Sequence, residues 1–275
     1  VYLPGSILTL VSGNPAARVD GRDILLPVAP AIKNGVLLVP LRAVADIYNI
    51  RTAWDASTAS VDLYPGGLEA AQPDLIALDV LSVNDFHGAL LDDGKNPGAA
   101  KLGKWLRDEK AKNPDGTLVL SAGDMYQGSI DSNLLYGKTV VETMNQIGFD
   151  AMAIGNHEFD NGPGDLAAFI DAVEFPVLSS NIDATNQADL NGKIQPYTIL
   201  DVNGEQVGVI GLTTLETPIN SSPGPDLAFG PYVESLGPVI AELTGQGVNK
   251  IVLLSHIGYA DDQTLAGEID GVDII

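Results

Sequence analysis

The sequence predicts a small β-rich module followed by a larger α/β domain, and three observations lead there. Up to Pro65, short apolar runs are punctuated by the hairpin dipeptides Asp20-Gly21 and Asn34-Gly35. Pro65-Gly66-Gly67 through Gln72-Pro73 is a tract of glycine, proline and small residues, which is linker composition. Beyond it, short apolar runs alternate with segments of helical periodicity, the alternation that builds α/β folds. The expected division is therefore a module over residues 1–65, a linker over 66–74 and a domain over 75–275.

Within the module, Trp54 and an apolar run Val61–Tyr64 flank a polar turn, Asp55–Thr58, and Leu41–Ile50 carries apolar residues at helical spacing. In the domain, helical patterns cover Gly98–Asn113, Lys138–Ile147, Asp165–Val173 and Tyr232–Thr244. Strand-like runs cover Leu75–Val83, Leu118–Leu120, Ala151–Ile154 and Ile251–Leu254. No run is long enough to form a membrane helix. The start, VYLPGSILTL, lacks the basic region of a signal peptide, as the mature form of an exported protein also does.

Composition narrows the function classes. There is no cysteine, which removes disulfides, thiolate metal sites and cysteine nucleophiles. The formal net charge is −22, and all of the imbalance lies after Pro65, because residues 1–65 hold five basic and five acidic residues. The remaining nine basic residues against 31 acidic ones cannot build the positive stripe that binds a phosphate backbone, so duplex nucleic acid is excluded as a partner.

The chemistry shows in where the strand-like runs end. Leu75–Val83 ends in NDFHG, Leu118–Leu120 in SAGD, Ala151–Ile154 in GNHE and Ile251–Leu254 in SHIG. These ends carry Asp85 and His87, then Asp124, then Asn156 and His157, then His256, which includes all three histidines of the chain. Periodicity alone places the four ends at one edge of one sheet, where ligands of α/β folds collect. Asp85 and His87, two apart on a strand continuation, project to the same side and can grip one ion. Asp124 has two oxygens and can bridge two ions, while Asn156 and His256 add an oxygen and a nitrogen to the second. In an extended segment Asn156 and His157 face opposite sides, so that one holds a metal while the other meets substrate. Asp160 can hydrogen-bond His157 and favour its charged form, which makes a poised acid. Two such dications, about 3.5–4 Å apart, would hold a hydroxide and clamp phosphate oxygens for in-line displacement.

On the residues NDFHG, SAGDMYQGS, GNHEFDNG and LLSHIGY, supported by FPVLSSNI and VGVIGLTTLETP, the chain from about Leu75 onward resembles the calcineurin-like metallophosphoesterases of the secreted 5'-nucleotidase branch. That resemblance implies an α/β/β/α sandwich with two mixed sheets. It implies a first metal on Asp85, His87 and Asp124 and a second on Asp124, Asn156 and His256. His157, paired with Asp160, would stabilise the phosphoryl transition state or protonate the leaving oxygen. The substrate implied is a nucleotide or other small phosphate ester. The two divalent ions can be manganese, zinc, iron or magnesium, since a mixed oxygen and nitrogen set accepts each. The family continues past a strand like VDII with a Gly-His loop that adds a ligand to each ion, followed by a nucleoside-binding domain. A C-terminal part is therefore expected to be missing, with weakened metal binding and poor turnover.

The stretch VAPAIKNGVLLVPLRAVADIYNIRTAWDASTASVDL resembles the copper amine oxidase N-terminal-like domain of secreted and surface bacterial proteins. The segment holds no histidine or cysteine, so the usual copper ligands are absent and a surface or cell-wall attachment role is implied. Two other readings compete. One is a non-catalytic surface-binding protein with a phosphatase-like scaffold, and the other is a serine hydrolase built on Ser129, His157 and Asp160, against which stands the absence of a G-x-S-x-G elbow.

Overall fold

The computed structural model describes residues 8–19, 22–41, 44–45, 51–55, 60–64 and 77–275. The chain divides into two compact units, Val1–Leu75 and Ile76–Ile275. In the first, β1 (Leu8–Val11), β2 (Asn14–Val19) and β3 (Arg22–Leu25) form an antiparallel sheet. Two hairpins follow, β4 (Ala31–Lys33) with β5 (Val36–Leu38) and β6 (Arg51–Asp55) with β7 (Ser60–Tyr64). Asn34 and Gly35 take φ of 52° and 77° between the paired Lys33 and Val36, the double left-handed conformation that makes Asn-Gly a tight hairpin turn. The Asp20-Gly21 turn, residues 56–58 of the polar turn, most of the 41–50 helical pattern and the 66–74 linker lie outside the described residues.

The second unit is two sheets packed face to face between helices. The first sheet is parallel throughout, in the order β11 (Val177–Leu178), β10 (Ala151–Ala153), β9 (Thr117–Ser121), β8 (Asp79–Val83). The second is mixed: β14 (Glu205–Thr213) pairs antiparallel with β13 (Tyr197–Val202) and parallel with β16 (Ile251–His256). A two-stranded ladder joins β12 (Ile182–Asp183) to β15 (Ala228–Phe229).

Alternation along the strands builds the layers. Leu118, Leu120, Ala151, Ala153 and Leu178 meet Val202, Val207, Val209, Val252 and Leu254 in a cluster between the sheets. The intervening residues point outward. Val119, Met152 and Val177 pack under α1 (Gly98–Lys110), α3 (Lys138–Ile147) and α4 (Pro163–Ala172), reached by Leu106, Met144 and Phe169. Ile210, Leu212, Ile251 and Leu253 pack under α6 (Tyr232–Gly245) and α7 (Tyr259–Leu265) through Leu236, Leu243 and Leu265. Two short helices, α2 (Ile130–Asn133) and α5 (Thr217–Asn220), sit in the loops after β9 and β14. Strands buried on both faces read as continuous apolar runs because neither face meets water. The result is the α/β/β/α sandwich.

The ends of β8, β9 and β10 belong to the first sheet, but His256 ends β16 of the second, which corrects the expectation of a single sheet edge. Periodicity within a run cannot say which of two parallel ladders the run joins.

Leu120 is fully buried between the sheets. Leu120→Ala is expected to lower the unfolding free energy by about 2–5 kcal/mol, read as a fall in urea midpoint with an unchanged slope.

Candidate metal centre

Past Val83 and Ser121 the ladder between β8 and β9 continues irregularly into the site. Asp85 N–H donates to Gly123 O (3.1 Å), His87 N–H to Asp124 O (3.0 Å) and Gly88 N–H to Met125 O (2.9 Å). The residues between these bonds do not stay extended. Asp85, His87 and Asp124 adopt φ of 50°, 48° and 57°, three of the six non-glycine left-handed residues among the described ones. Each costs about 1–2 kcal/mol, and such strain persists where surrounding structure enforces it, often at functional sites. The strand-continuation argument for Asp85 and His87 is thereby replaced: left-handed turns, rather than strand alternation, bring them together. His87 Nε2 lies 3.7 Å from Asp85 Oδ1. One ligand atom from each of Asp85, His87 and Asp124 fits within a mutual separation of 4.8 Å, which suits a single cation.

Two imidazoles here have their outer nitrogen already committed. His87 Nδ1 donates to Gln127 O (2.8 Å), and His256 Nδ1 to Ala122 O (2.7 Å). A carbonyl only accepts, so each ring carries a proton on Nδ1, and Nε2 is the atom that an ion would take once it is deprotonated. His256 Nε2 stands 3.2 Å from Asp124 Oδ2 and 3.3 Å from Asn156 Oδ1. Asp124 thus belongs to both groups, with Asp85 and His87 on one side and Asn156 and His256 on the other.

Asn156 and His157 do not lie in an extended segment. Asn156 has helical backbone angles and leads into a single 3₁₀ turn, His157–Phe159. In such a turn residues three apart eclipse, and this places Asp160 Oδ2 2.7 Å from His157 Nδ1. Asp160 is held in turn by the Ser221 hydroxyl, which donates to its Oδ1 at 2.7 Å. The His157 ring stands edge-on to His87, with centroids 5.1 Å apart, beside the first group. Partial burial alone would pull the His157 pKa down, but the Asp160 bond and the nearby Asp124, Asp160 and Glu158 charges raise it above its ordinary value. Ser129 plays no part with His157. Its hydroxyl donates to Gly88 O (2.6 Å) and accepts from Ser132 N–H (3.2 Å), so it caps α2, which leaves the serine-hydrolase reading without a nucleophile–base contact.

Sequence reasoning missed Glu158. Its carboxylate is fully buried and accepts backbone N–H bonds from Asp124, Met125 and Gly155, each at 2.8 Å. It therefore ties the loop after β9 to the loop after β10. Gly155 permits their approach, since a Cβ there would fall 2.2 Å from Asp124 Oδ1. Burial, then the charge of Asp124, push the Glu158 pKa up to about 7 against the pull of the three N–H bonds. A glutamate between the apolar strand Ala151–Ile154 and Phe159 was the available signal, and its partners lie some 30 residues away in sequence, at Asp124 and Met125.

Two packed sheets between helices, with carboxylate, imidazole and amide groups gathered at the carboxyl ends of their strands, define a metallophosphatase-type domain. The chain belongs to the calcineurin-like phosphoesterase family, a metal-dependent family whose model matches residues 78–275. A copper amine oxidase N-terminal domain model matches residues 1–63. The chain is 42% identical over 211 residues to a snake venom 5'-nucleotidase from Gloydius brevicauda, a match that covers 72% of this chain and 36% of that protein. Among solved structures it resembles a 5'-nucleotidase precursor from Thermus thermophilus, with a TM-score of 0.67 and 41% identity, over 72% of this chain and 40% of the other. It also resembles the NAD nucleotidase of Haemophilus influenzae, with a TM-score of 0.66 and 32% identity, over 72% and 42%. The chain therefore spans well under half the length of these relatives.

The buried glutamate and the His256–Asp124 pair each have a measurable consequence. In Glu158→Gln an amide NH₂ must face backbone N–H groups, so at least one donor is orphaned; a loss of about 1–3 kcal/mol in unfolding free energy is expected by urea titration. The second consequence concerns pH in metal-free protein. Burial opposes charging of His256, yet its bond to Asp124, that residue's charge and the Ala122 carbonyl raise its pKa to about 9. Burial likewise opposes charging of Asp124, but its bonds to His256 and to the His157 N–H leave its pKa lowered. A raised histidine stabilises fully below its unfolded value, 6.5, and that contribution vanishes as pH climbs to about 9. The lowered carboxylate contributes above 3.8 and loses its share on acidification. Glu158, which keeps its proton longer when folded, acts in the same direction as His256. The urea midpoint of chelator-treated protein should accordingly fall between pH 6.5 and about pH 9.

Proposed function

We propose that this chain is the metal-binding portion of a dinuclear phosphoesterase that hydrolyses nucleotide phosphate esters, of the 5'-nucleotidase or 2',3'-cyclic-nucleotide phosphodiesterase type. The observation that carries the reading is that Asp85, His87, Asp124, Asn156 and His256, from four strand ends on two sheets, converge with both imidazole Nε2 atoms facing the oxygens of their own group. The donor set fits the group: hard and borderline oxygen and nitrogen atoms suit manganese, zinc, iron or magnesium, and no thiolate is involved. Asp85, His87 and Asp124 would hold one ion, and Asp124, Asn156 and His256 the other. Two such ions supply positive charge for phosphoryl oxygens and lower the pKa of water at the site.

The chain's own residues account for the rest. His157 lies beside His87, with its Nδ1 bonded to Asp160, so Nε2 is the atom that presents a proton to the leaving oxygen. Asp160, fixed by Ser221, keeps that ring oriented and favours its charged form. Asn156 would share substrate contact with His157. Residues 1–65 form a surface or cell-wall attachment module in this reading, joined through 66–74 to the enzyme portion at 75–275, and the protein works outside the cell or on its surface. No helix among the described residues is long and apolar enough to cross a membrane.

Metal-stripped protein reloaded with Mn²⁺ and desalted is expected to carry about two ions per chain by elemental analysis. Hydrolysis of 5'-AMP by the reloaded protein should disappear on adding a chelator and return with metal. His157→Ala should cut kcat by about 10²–10⁴-fold while leaving metal content unchanged. Metal loss in that variant, or hydrolysis that survives the chelator, would overturn the assignment.

A further inference from the structure

The second candidate ion group spans both sheets, with Asp124 and Asn156 after strands of the first and His256 at the end of a strand of the second, and the cluster between those sheets is made of valine, leucine and alanine. Apolar contact is non-directional, so by itself it leaves the sheets free to slide by fractions of an ångström. Directional bonds must set the span between Asn156 on the first sheet and His256 on the second. At the site end, the His256 Nδ1 bond to Ala122 O is one such link, and a buried polar network supplies others.

Thr213 is the last residue of β14 and pairs in register with His256. It is fully buried, and its hydroxyl donates across the interface to Ile154 O at 2.7 Å, the carbonyl that immediately precedes Gly155, Asn156 and His157. Asn181 grips the backbone of Thr213 from both sides. Its Oδ1 accepts from Thr213 N–H (2.9 Å) and its Nδ2 donates to Thr213 O (2.8 Å), as a neighbouring strand would. Ser179 Oγ lies 3.0 Å from Asn181 Oδ1 and 2.9 Å from Thr213 Oγ1, and since Thr213 donates to Ile154, the Ser179 proton serves these two acceptors. Ser179 and Asn181 are both buried. The backbone joins in: Ser180 N–H donates to Gly211 O at 2.8 Å, and a Cβ on Gly211 would fall 2.3 Å from Leu178 O.

We infer that Thr213, gripped by Asn181 and Ser179, is a positioning residue that sets the span between the Asp124–Asn156 loops and His256, and hence the affinity of the second ion. The inference rests on the reading that Asp124, Asn156 and His256 hold that ion. Thr213 itself touches neither ion nor substrate. It acts through Ile154 on one side and through the paired His256 on the other.

The test is a calorimetric titration of Mn²⁺ into the metal-stripped 275-residue chain, with urea midpoints taken on the same samples. Wild type is expected to show two binding events, and His256→Ala identifies the one that belongs to the second group. Thr213→Val keeps the shape and removes the hydroxyl; it should weaken that event by about tenfold or more while leaving the other within about twofold. Thr213→Ser should restore wild-type affinity, and the milder Ser179→Ala should weaken the same event by less, which keeps the test available if the valine variant folds poorly. Equal weakening of both events in step with a lower urea midpoint, or no change in either, would overturn the positioning role. A wild-type protein with no event sensitive to His256→Ala would overturn the metal assignment beneath it.

Discussion

Burial of one carboxylate is the constraint on which the site depends. Asp124 is 3% exposed, sits in a left-handed conformation, and has its own N–H held by Glu158. Its side chain receives the His157 N–H on Oδ1 and faces His256 Nε2 on Oδ2. A carboxylate taken out of water must be compensated by donors or cations. Without a metal, His256 answers by holding its proton to higher pH. With cations in the two groups, the same imidazole would be a neutral ligand, and the charge balance that burial demands would be met by the ions instead.

The surrounding structure is arranged to hold Asp124 there. The glutamate beneath it ties the two loops through three N–H bonds, and Gly155 and Gly123 remove Cβ atoms that would forbid their approach. Polar groups at this depth are paired, so each bond fixes a position as well as an energy. The second sheet is then located by Thr213, which Asn181 and Ser179 hold and which bonds Ile154 one residue before Gly155. Three left-handed backbones can be held at the ligands because parallel ladders and two apolar layers lie directly below them.

The N-terminal unit has a different character. Its described strands are short, and several apolar side chains, among them Leu25, Ile32 and Val36, remain exposed. Its balanced charge contrasts with the acidic domain that follows.

The sequence by itself singled out the residues that meet at the candidate centre and determined which segments form strands and helices. Apolar runs buried on both faces announce β9, β10 and β16, which lead to Asp124, Asn156 and His256, polar residues that no packing argument requires. The helices Lys138–Ile147 and Tyr232–Gly245 were legible from their 3.6-residue spacing. Tertiary structure alone decided that His256 belongs to a second sheet, that Asp85 and His87 meet through left-handed turns, and that Glu158 and Thr213 fasten the loops. The physical reason is the same in each case. Periodicity records which face of an element avoids water, whereas ladder partners, positive φ at a non-glycine residue and hydrogen bonds between residues some 30 to 60 apart are fixed only when the layers close on one another.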